Sequence, residues 1–412
     1  MVRGSFSKRL AGILLVVLMA VGWCGAPLVS GQVDMKDQNH PLLLAHYMPW
    51  YQTPDGHGSW GWHWTMNHFN PAQTDANRRP EIASHFMPLT GPYDSSDEAL
   101  LEYQVLLMKI SGIDGVIVDW YGMENFRDYA TLNESTGKLF AAVKKAGLVF
   151  VICYEDQSIL HMVEDNHLTS DQALAHGQDV MRYMQEQWFS DDAYLKEAGQ
   201  PVLFTFGPQY FKSSTQWDSL FAVVEPRPAL VTLDKHMVSG SLSSYPWPPM
   251  FGITINQKAL EAYLTQFYRK AGRWDYIVGG AFPGFYDIYQ EAGVRNSYGY
   301  LDAQQGETFR YTLQLALDQN PDVVQLITWN DYGEGTNIEP TEEYGTQYLE
   351  IVQEARRTME GSAFVYTAED LQLPLKLFQL RQEHADDARL DDAFDAIIAG
   401  NTATAAQILA EF

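Results

Sequence analysis

Cysteine is nearly missing from this sequence: Cys24 and Cys153 are the two among 412 residues. A small disulfide-stapled fold is therefore excluded, and stability has to come from a large apolar core. Basic side chains are scarce as well, 27 against 52 acidic ones, for a net charge of −25. A field of that sign repels phosphate backbones and anionic membranes, which argues against nucleic acid as a partner. Most of the carboxylates read as a solvated acidic surface. Beyond the N-terminus no apolar run reaches the length of a membrane span. There is no Walker motif, no G-x-G-x-x-G at a strand-to-helix turn and no G-x-S-x-G elbow, so nucleotide-dependent and serine-hydrolase chemistry have no foothold. Internal repeats and low-complexity runs are also lacking.

What is present begins with a leader. Arg3, Lys8 and Arg9 precede an uncharged apolar run from Leu10 to about Cys24, and small residues follow around Val29, Ser30 and Gly31. This is the three-part layout of a cleavable secretory signal over residues 1–31. Its apolar run is shorter than the roughly 20 residues that span a bilayer. Trp23 stands where a lipoprotein cleavage site wants a small residue, which disfavours lipid anchoring at Cys24. The expectation is a secreted or periplasmic protein with no membrane association after cleavage. Cys153 is then the one remaining cysteine, and no disulfide can form within the chain.

Along the rest of the chain, short apolar runs alternate with amphipathic stretches of helix length, the pattern of strands joined by crossover helices. Eight strands are predicted, at Leu42–Met48, Gly115–Trp120, Leu148–Tyr154, Pro201–Phe206, Ala229–Leu233, Met250–Ile255, Tyr276–Phe282 and Val323–Trp329. Helices are predicted at Asp97–Ser111, Glu134–Ala146, Ser170–Trp188, Ser214–Val223, Gln257–Ala271 and Gly306–Gln319. The fifth and sixth strands are joined by a Ser/Pro-rich stretch, Ser239 to Pro249, in place of a helix. The pattern implies an α/β fold, a (β/α)8 TIM-type barrel over residues 32–367. Residues 49–95 form an enlarged first βα loop, too long for an ordinary connection. Residues 368–412 form a C-terminal helical extension, with helices at Leu375–His384 and Leu390–Phe412, the second broken near Gly400 and Asn401. Its expected role is a cap packed on the barrel of a monomer.

The strands stay apolar until their last residues, where polar and aromatic groups appear, and a parallel barrel gathers those ends at one mouth. After the eighth strand, Trp329, Asn330, Asp331, Tyr332 and Glu334 fall within six residues. Hydrolysing a glycoside needs one carboxyl group to protonate the leaving oxygen and a second to support the attack, and Asp331 with Glu334 supplies that pair. The acid has to hold its proton near neutrality, which apolar rings or a second carboxylate bring about. A bare Asp-x-x-Glu also suits a tight turn with a surface acid. The preceding apolar strand and the flanking rings favour chemistry here.

Sugars present apolar C–H faces that pack on aromatic rings beside polar groups that fix the hydroxyls. The first loop is rich in such groups, and His46, Tyr47, Trp50, Tyr51, Trp60 and Trp64 are candidate substrate contacts. Asp119, Trp120 and Tyr121 after the second strand and Tyr154 and Glu155 after the third join them, with Trp329, Asn330 and Tyr332. Each ring has core packing as its competing use, and each acid has a helix N-terminus. His46, His57, His63 and His68 lack the spacing and carboxylate support of a metal site, so neither metal nor cofactor is expected.

Three segments carry a resemblance: His46 to Tyr51, Gly112 to Tyr121, and Trp329 to Pro340. Together they resemble the glycoside hydrolase family 71/99-like proteins, over roughly residues 42–345. The resemblance implies a metal-free (β/α)8 enzyme acting on an α-linked polysaccharide or oligosaccharide. Family 99 members are endo-α-mannosidases whose site reads Asn-Glu-aromatic-x-Glu-Gly-Thr. On that motif Glu334 aligns with the general acid/base, and Asp331 stands where the family has its first glutamate. That first carboxylate is thought to take the proton of the sugar's own 2-hydroxyl. An aspartate is shorter by about 1.5 Å, one C–C bond, a shift to which catalysis is sensitive. Family 71, the α-1,3-glucanases, carries a related Trp-Asn-Asp-Tyr segment, so retention and inversion both stay open. Two other readings compete with hydrolysis: a catalytically silent carbohydrate-binding barrel and a glycosyltransferase-associated relative.

Overall fold

Strands that are apolar on both faces have to be covered on both, and a closed parallel sheet ringed by helices does so. The computed structural model describes Met1 and residues 40–76 and 78–412. The leader expected over residues 1–31 lies, Met1 apart, outside the described residues. The barrel strands are β1 (Leu42–Tyr47), β2 (Gly115–Trp120), β3 (Val149–Tyr154), β4 (Gln200–Thr205), β5 (Ala229–Leu233), β6 (Ser243–Tyr245), β7 (Val278–Ala281) and β8 (Val323–Leu326). All pair in parallel, in the order β6-β5-β4-β3-β2-β1-β8-β7. The β6 and β7 sides meet where Ser243 Oγ donates to the carbonyl of Tyr276 at 2.7 Å, so the barrel is nearly closed.

Among the described residues seven helices wrap the sheet: α1 (Glu98–Ser111), α2 (Tyr129–Lys145), α3 (Ala173–Met184), α4 (Ser214–Phe221), α5 (Gln257–Ala271), α6 (Glu307–Leu317) and α7 (Gln347–Glu360). Local chemistry sets their ends. Asp97 caps α1 by accepting from the N–H groups of Ala99 and Leu100, and Gly112 closes it at φ 79°. Ser213 and Gln216 form a capping box on α4. Helix α7 is the one wrapping helix the periodicity reading does not contain. The extension forms α8 (Leu373–Glu383), α9 (Ala388–Ile398) and α10 (Thr402–Ala410), with the break at Gly400 and Asn401 as anticipated. It packs on α1 and α2: Phe378 meets Tyr103 at 5.6 Å between ring centroids, Arg381 Nε donates to Glu102 at 3.0 Å, and Lys145 Nζ lies 4.0 Å from the Phe394 ring centre. Among the described residues no helix is long and apolar enough to cross a membrane.

One strand differs from its prediction. The sixth is Ser243–Tyr245, not Met250–Ile255. Its serines are buried, but Ser243 Oγ bonds Tyr276 O and Ser244 Oγ donates to Thr232 O at 2.9 Å, which offsets the cost of burying hydroxyls. The apolar Ile253–Ile255 instead pairs with Gly299–Leu301, which pairs with Phe285–Tyr286, as a small sheet outside the barrel.

At the opposite end of the barrel Arg356 of α7 is buried, 1% exposed. Its Nε donates to the carbonyl of Gly112 at 2.8 Å, and its Nη atoms bond Asp114, Glu360 and His40. Asp114 also accepts from the N–H of Leu43 at 2.7 Å, so one guanidinium ties α7 and the α1–β2 turn to β1. Removing one partner of a buried ion pair leaves the other charge uncompensated, at about 3–5 kcal/mol. Arg356→Met is therefore expected to lower the unfolding free energy in denaturant titration by about 3 kcal/mol. A loss within about 0.5 kcal/mol, the range of a surface substitution, would contradict this role.

Candidate active site

Side chains alternate along a strand, so parity decides which residues at a strand end reach the barrel interior. On β1, His46 points inward, with Nδ1 3.0 Å from Gln325 Nε2 of β8. Tyr47 points outward and donates to Gln104 Oε1 of α1 at 2.7 Å. On β2, Asp119 is internal, whereas Trp120 donates from Nε1 to Asn133 Oδ1 of α2 and stacks on Tyr183 of α3. After β3, Glu155 turns inward, and Tyr154 packs against Trp120 at 6.0 Å. Tyr47, Trp120 and Tyr154, predicted as substrate contacts, belong to the layer between sheet and helices. A period of two could have separated them from His46, Asp119 and Glu155.

The mouth thus gathers Asp119, Glu155, Asp331 and Glu334. Burial, and after it the charge of Asp331, push Asp119 up to about 8, partly offset by a hydrogen bond from Tyr121. Burial pushes Asp331 up to about 7 against the N–H groups of Glu334 and Gly333 that bond it, with the charge of Asp287 adding to the rise. Glu334 is raised well above the usual carboxylate range by burial and then by the charges of Asp331 and Asp287. Glu155 is raised likewise, by burial, Asp119, Asp156 and Glu334. The two buried lysine or arginine side chains among the described residues, Lys196 and Arg356, bond elsewhere, to Asp191 O and at the barrel's far end. The cluster therefore lowers its repulsion by holding protons. Asp119 Oδ1 and His46 Nε2 are buried without a hydrogen-bond partner. About nine in ten buried polar groups have one, so these two atoms are available to a ligand.

His46, Asp119 and Cys153 each present one N, O or S donor, all within 4.8 Å of one another. Burial holds His46 neutral, its pKa down to about 3, but keeps the protons on Asp119 and on the Cys153 thiol, where a soft ion would need a thiolate.

The acid pair sits on a tight turn. Asp331 Oδ1 accepts from the N–H of Glu334 at 3.0 Å, and Thr328 Oγ1 accepts from the N–H of Asp331 at 2.8 Å. Asp331 is thus both turn-former and buried acid, 4% exposed. Tyr289 donates to Glu334 Oε1 at 3.5 Å. The turn is clamped from outside, because the N–H groups of Tyr286 and Ile288 bond the carbonyls of Glu334 and Gly333. Gly335 adopts φ 64°, and a Cβ there would lie 2.5 Å from the Tyr286 carbonyl oxygen, so both conformation and space demand glycine.

Beneath the turn, Glu339 accepts from Gln104 Nε2 at 2.6 Å and from the hydroxyls of Tyr93 and Tyr332 at 2.8 Å each. Asn330 bridges Met48 and Tyr93, and the Tyr51 hydroxyl donates to Asn330 O while accepting from Tyr332 N–H. Trp64 donates to the Tyr93 carbonyl and packs on Tyr51 at 4.0 Å. Tyr51, Trp64, Asn330 and Tyr332, predicted to touch substrate, are used up in this support, and Trp329 is fully buried beside it.

The rings that do face open space lie to one side. A cavity of about 580 Å³ is lined by Trp60, Trp62, His63, Tyr121, Asp128 and Tyr129, among others. Trp60 and Tyr121 were anticipated. Trp50 is next to the cavity, stacked on His63 at 4.1 Å. Trp62, not Trp64, is the exposed member of its segment, at 39%. Asp128 and Tyr129 escaped sequence reading because they open helix α2, where an acid has an ordinary use.

No protein-family model matches the chain. It is 23% identical over 328 residues to the glycoprotein endo-alpha-1,2-mannosidase-like protein of Mus musculus, covering 72% of this chain and 69% of the relative. It is 21% identical over 371 residues to the glycoprotein endo-alpha-1,2-mannosidase of Mus musculus, covering 81% and 76%. Among solved structures, the GH99 endo-alpha-mannosidase of Bacteroides thetaiotaomicron superposes with a TM-score of 0.58 at 16% identity, over 77% of this chain and 98% of that one. A glycoside hydrolase-like protein superposes at 0.56 and 13% identity, over 77% and 94%. At such identities the superpositions speak for the barrel, and the motif ending in Pro340 speaks alongside the sequence matches: this chain is a GH99-like protein.

Proposed function

We propose that the protein is an exported glycoside hydrolase that cleaves α-mannosidic bonds in an oligosaccharide or polysaccharide, with Glu334 as general acid/base and Asp331 as its partner. The observation that carries the reading is that Asp331 and Glu334 share one turn at the barrel mouth, with burial and the charge of Asp331 raising the proton affinity of Glu334. A carboxyl group so placed keeps its proton near neutrality and can deliver it to the departing glycosidic oxygen. Asp331, once ionised, accepts a proton from a hydroxyl on the sugar or from water. Its reach is limited, because the N–H of Glu334 holds Oδ1 inside the turn. Asp119 and Glu155 stand across from the pair with polar atoms suited to sugar hydroxyls, and the Trp60–Trp62 cavity suits the apolar face of a neighbouring ring. The likeness to endo-mannosidases supports mannose, and the basic and apolar leader supports export.

Glu334→Gln is expected to lower kcat on α-mannan oligosaccharides by on the order of 10² to 10⁴. Circular dichroism should show the fold retained. Turnover at the parental rate would remove Glu334 from the mechanism.

The charge cluster also sets a pH dependence. Asp119 binds its proton more tightly in the folded chain, with a pKa of about 8, than in the unfolded chain at about 3.9. The folded state therefore carries more protons between these values, and stability falls as pH rises through that window. Asp119→Asn, neutral at every pH, removes that share of the slope. Its thermal midpoint should draw level with or exceed the parent's as pH rises from acid to about 8, the value at which Asp119 ionises. A difference between variant and parent that stays constant across that range would contradict the assignment.

A further inference from the structure

The small sheet outside the barrel has one face without a structural use. Its register sets Tyr286 beside Tyr300 and Tyr300 beside Thr254, with Phe285, Leu301 and Ile255 on the other side. The second set is buried and anchors the sheet to the core. The first set is turned outward, Tyr286 at 42% and Tyr300 at 37% exposed, with ring centroids 5.3 Å apart at 87°. His85 stacks on Tyr286 at 3.6 Å and lines, with Phe69 and Phe86, a cavity of about 520 Å³. These rings form a continuous strip that starts at the turn bearing Glu334, since Tyr286 N–H bonds the Glu334 carbonyl at 2.9 Å.

We infer that this strip is a distal glycan subsite, where neutral sugar rings of a long α-linked chain rest beyond the residue being cleaved. The inference builds on the hydrolase reading above. A glycan fits better than other occupants for two reasons. The strip borders the turn that bears Glu334, through Tyr286 N–H on the Glu334 carbonyl and through Phe86, whose ring lies 3.0 Å from where a Gly335 Cβ would stand, so a chain extending from that turn can reach it. Arg79, which lines that cavity, is engaged by Glu342 at 2.6 Å and Glu343 at 2.7 Å, and the tyrosine rings of the strip carry no fixed charge, which suits neutral sugar faces. Aromatic rings on a sheet are rigid, which lets sugar faces stack with little loss of freedom.

Tyr300→Ala tests this, because Tyr300 is exposed and takes no part in the clamp on the catalytic turn. Kinetics are compared for a disaccharide and an octasaccharide of one α-mannan ladder. The parent is expected to prefer the octasaccharide, and the variant to lose about tenfold of that preference in kcat/KM, with Tyr300→Phe restoring it. Calorimetric titration of octasaccharide into the Glu334→Gln protein, with and without Tyr300→Ala, reads the same subsite without turnover. Octasaccharide binding lost on adding Tyr300→Ala supports the subsite even if no glycan is hydrolysed, an outcome that would defeat only the hydrolase reading. Equal losses on both chain lengths, or an unaltered length preference, would overturn the subsite. So would a parent that sediments as a dimer and a Tyr300→Ala variant that sediments as a monomer, since the strip would then be a self-interface.

Discussion

Repulsion among carboxylates shut into one water-poor space is the constraint around which this protein is organised. Asp119, Glu155, Asp331 and Glu334 come from the ends of three strands and meet where, among the described residues, no buried lysine or arginine answers them. Such a group of acids is stable only as a holder of protons, and a holder of protons near neutrality is what acid catalysis of glycoside cleavage requires. The same feature costs stability, as sites tuned for chemistry commonly do.

Keeping the acids together against that repulsion falls to polar groups buried behind them. Glu339 collects Gln104, Tyr93 and Tyr332, while Tyr51 and Asn330 cross-link the first loop to the turn. Every member has a partner, the condition under which a buried polar network specifies geometry instead of weakening the core. On the outer side Tyr286 and Ile288 clamp the turn through two backbone bonds. The turn is therefore held from beneath and from outside.

Much of this could be read in the sequence, for physical reasons that differ by element. Buried parallel strands such as Val149–Tyr154 are continuous apolar runs, and Pro374 and Gly400 mark ends in the C-terminal helices, so the barrel and its extension were legible. Strand β6 was not, because Ser243 and Ser244 are buried through hydroxyl bonds to neighbouring strands, a property of the assembled sheet. Ile253–Ile255 drew the prediction away because its apolarity serves the outer sheet. At the site, aromatic density identified the first loop but not which rings were free: Trp64 is consumed by Tyr93 and Tyr51, and Trp62 beside it is open. The Glu339 network needs residues more than two hundred positions apart, which no local pattern reveals.

The central claim is that Asp331 and Glu334 act on the same bond. The most direct measurement is a crystal structure of the Glu334→Gln protein bound to an α-linked mannooligosaccharide. The account predicts a glycosidic oxygen within hydrogen-bond distance of the residue 334 side chain, with the Asp331 carboxylate against the same sugar ring. A saccharide bound with neither side chain in contact, or contacting only one of them from a separate face, would contradict it.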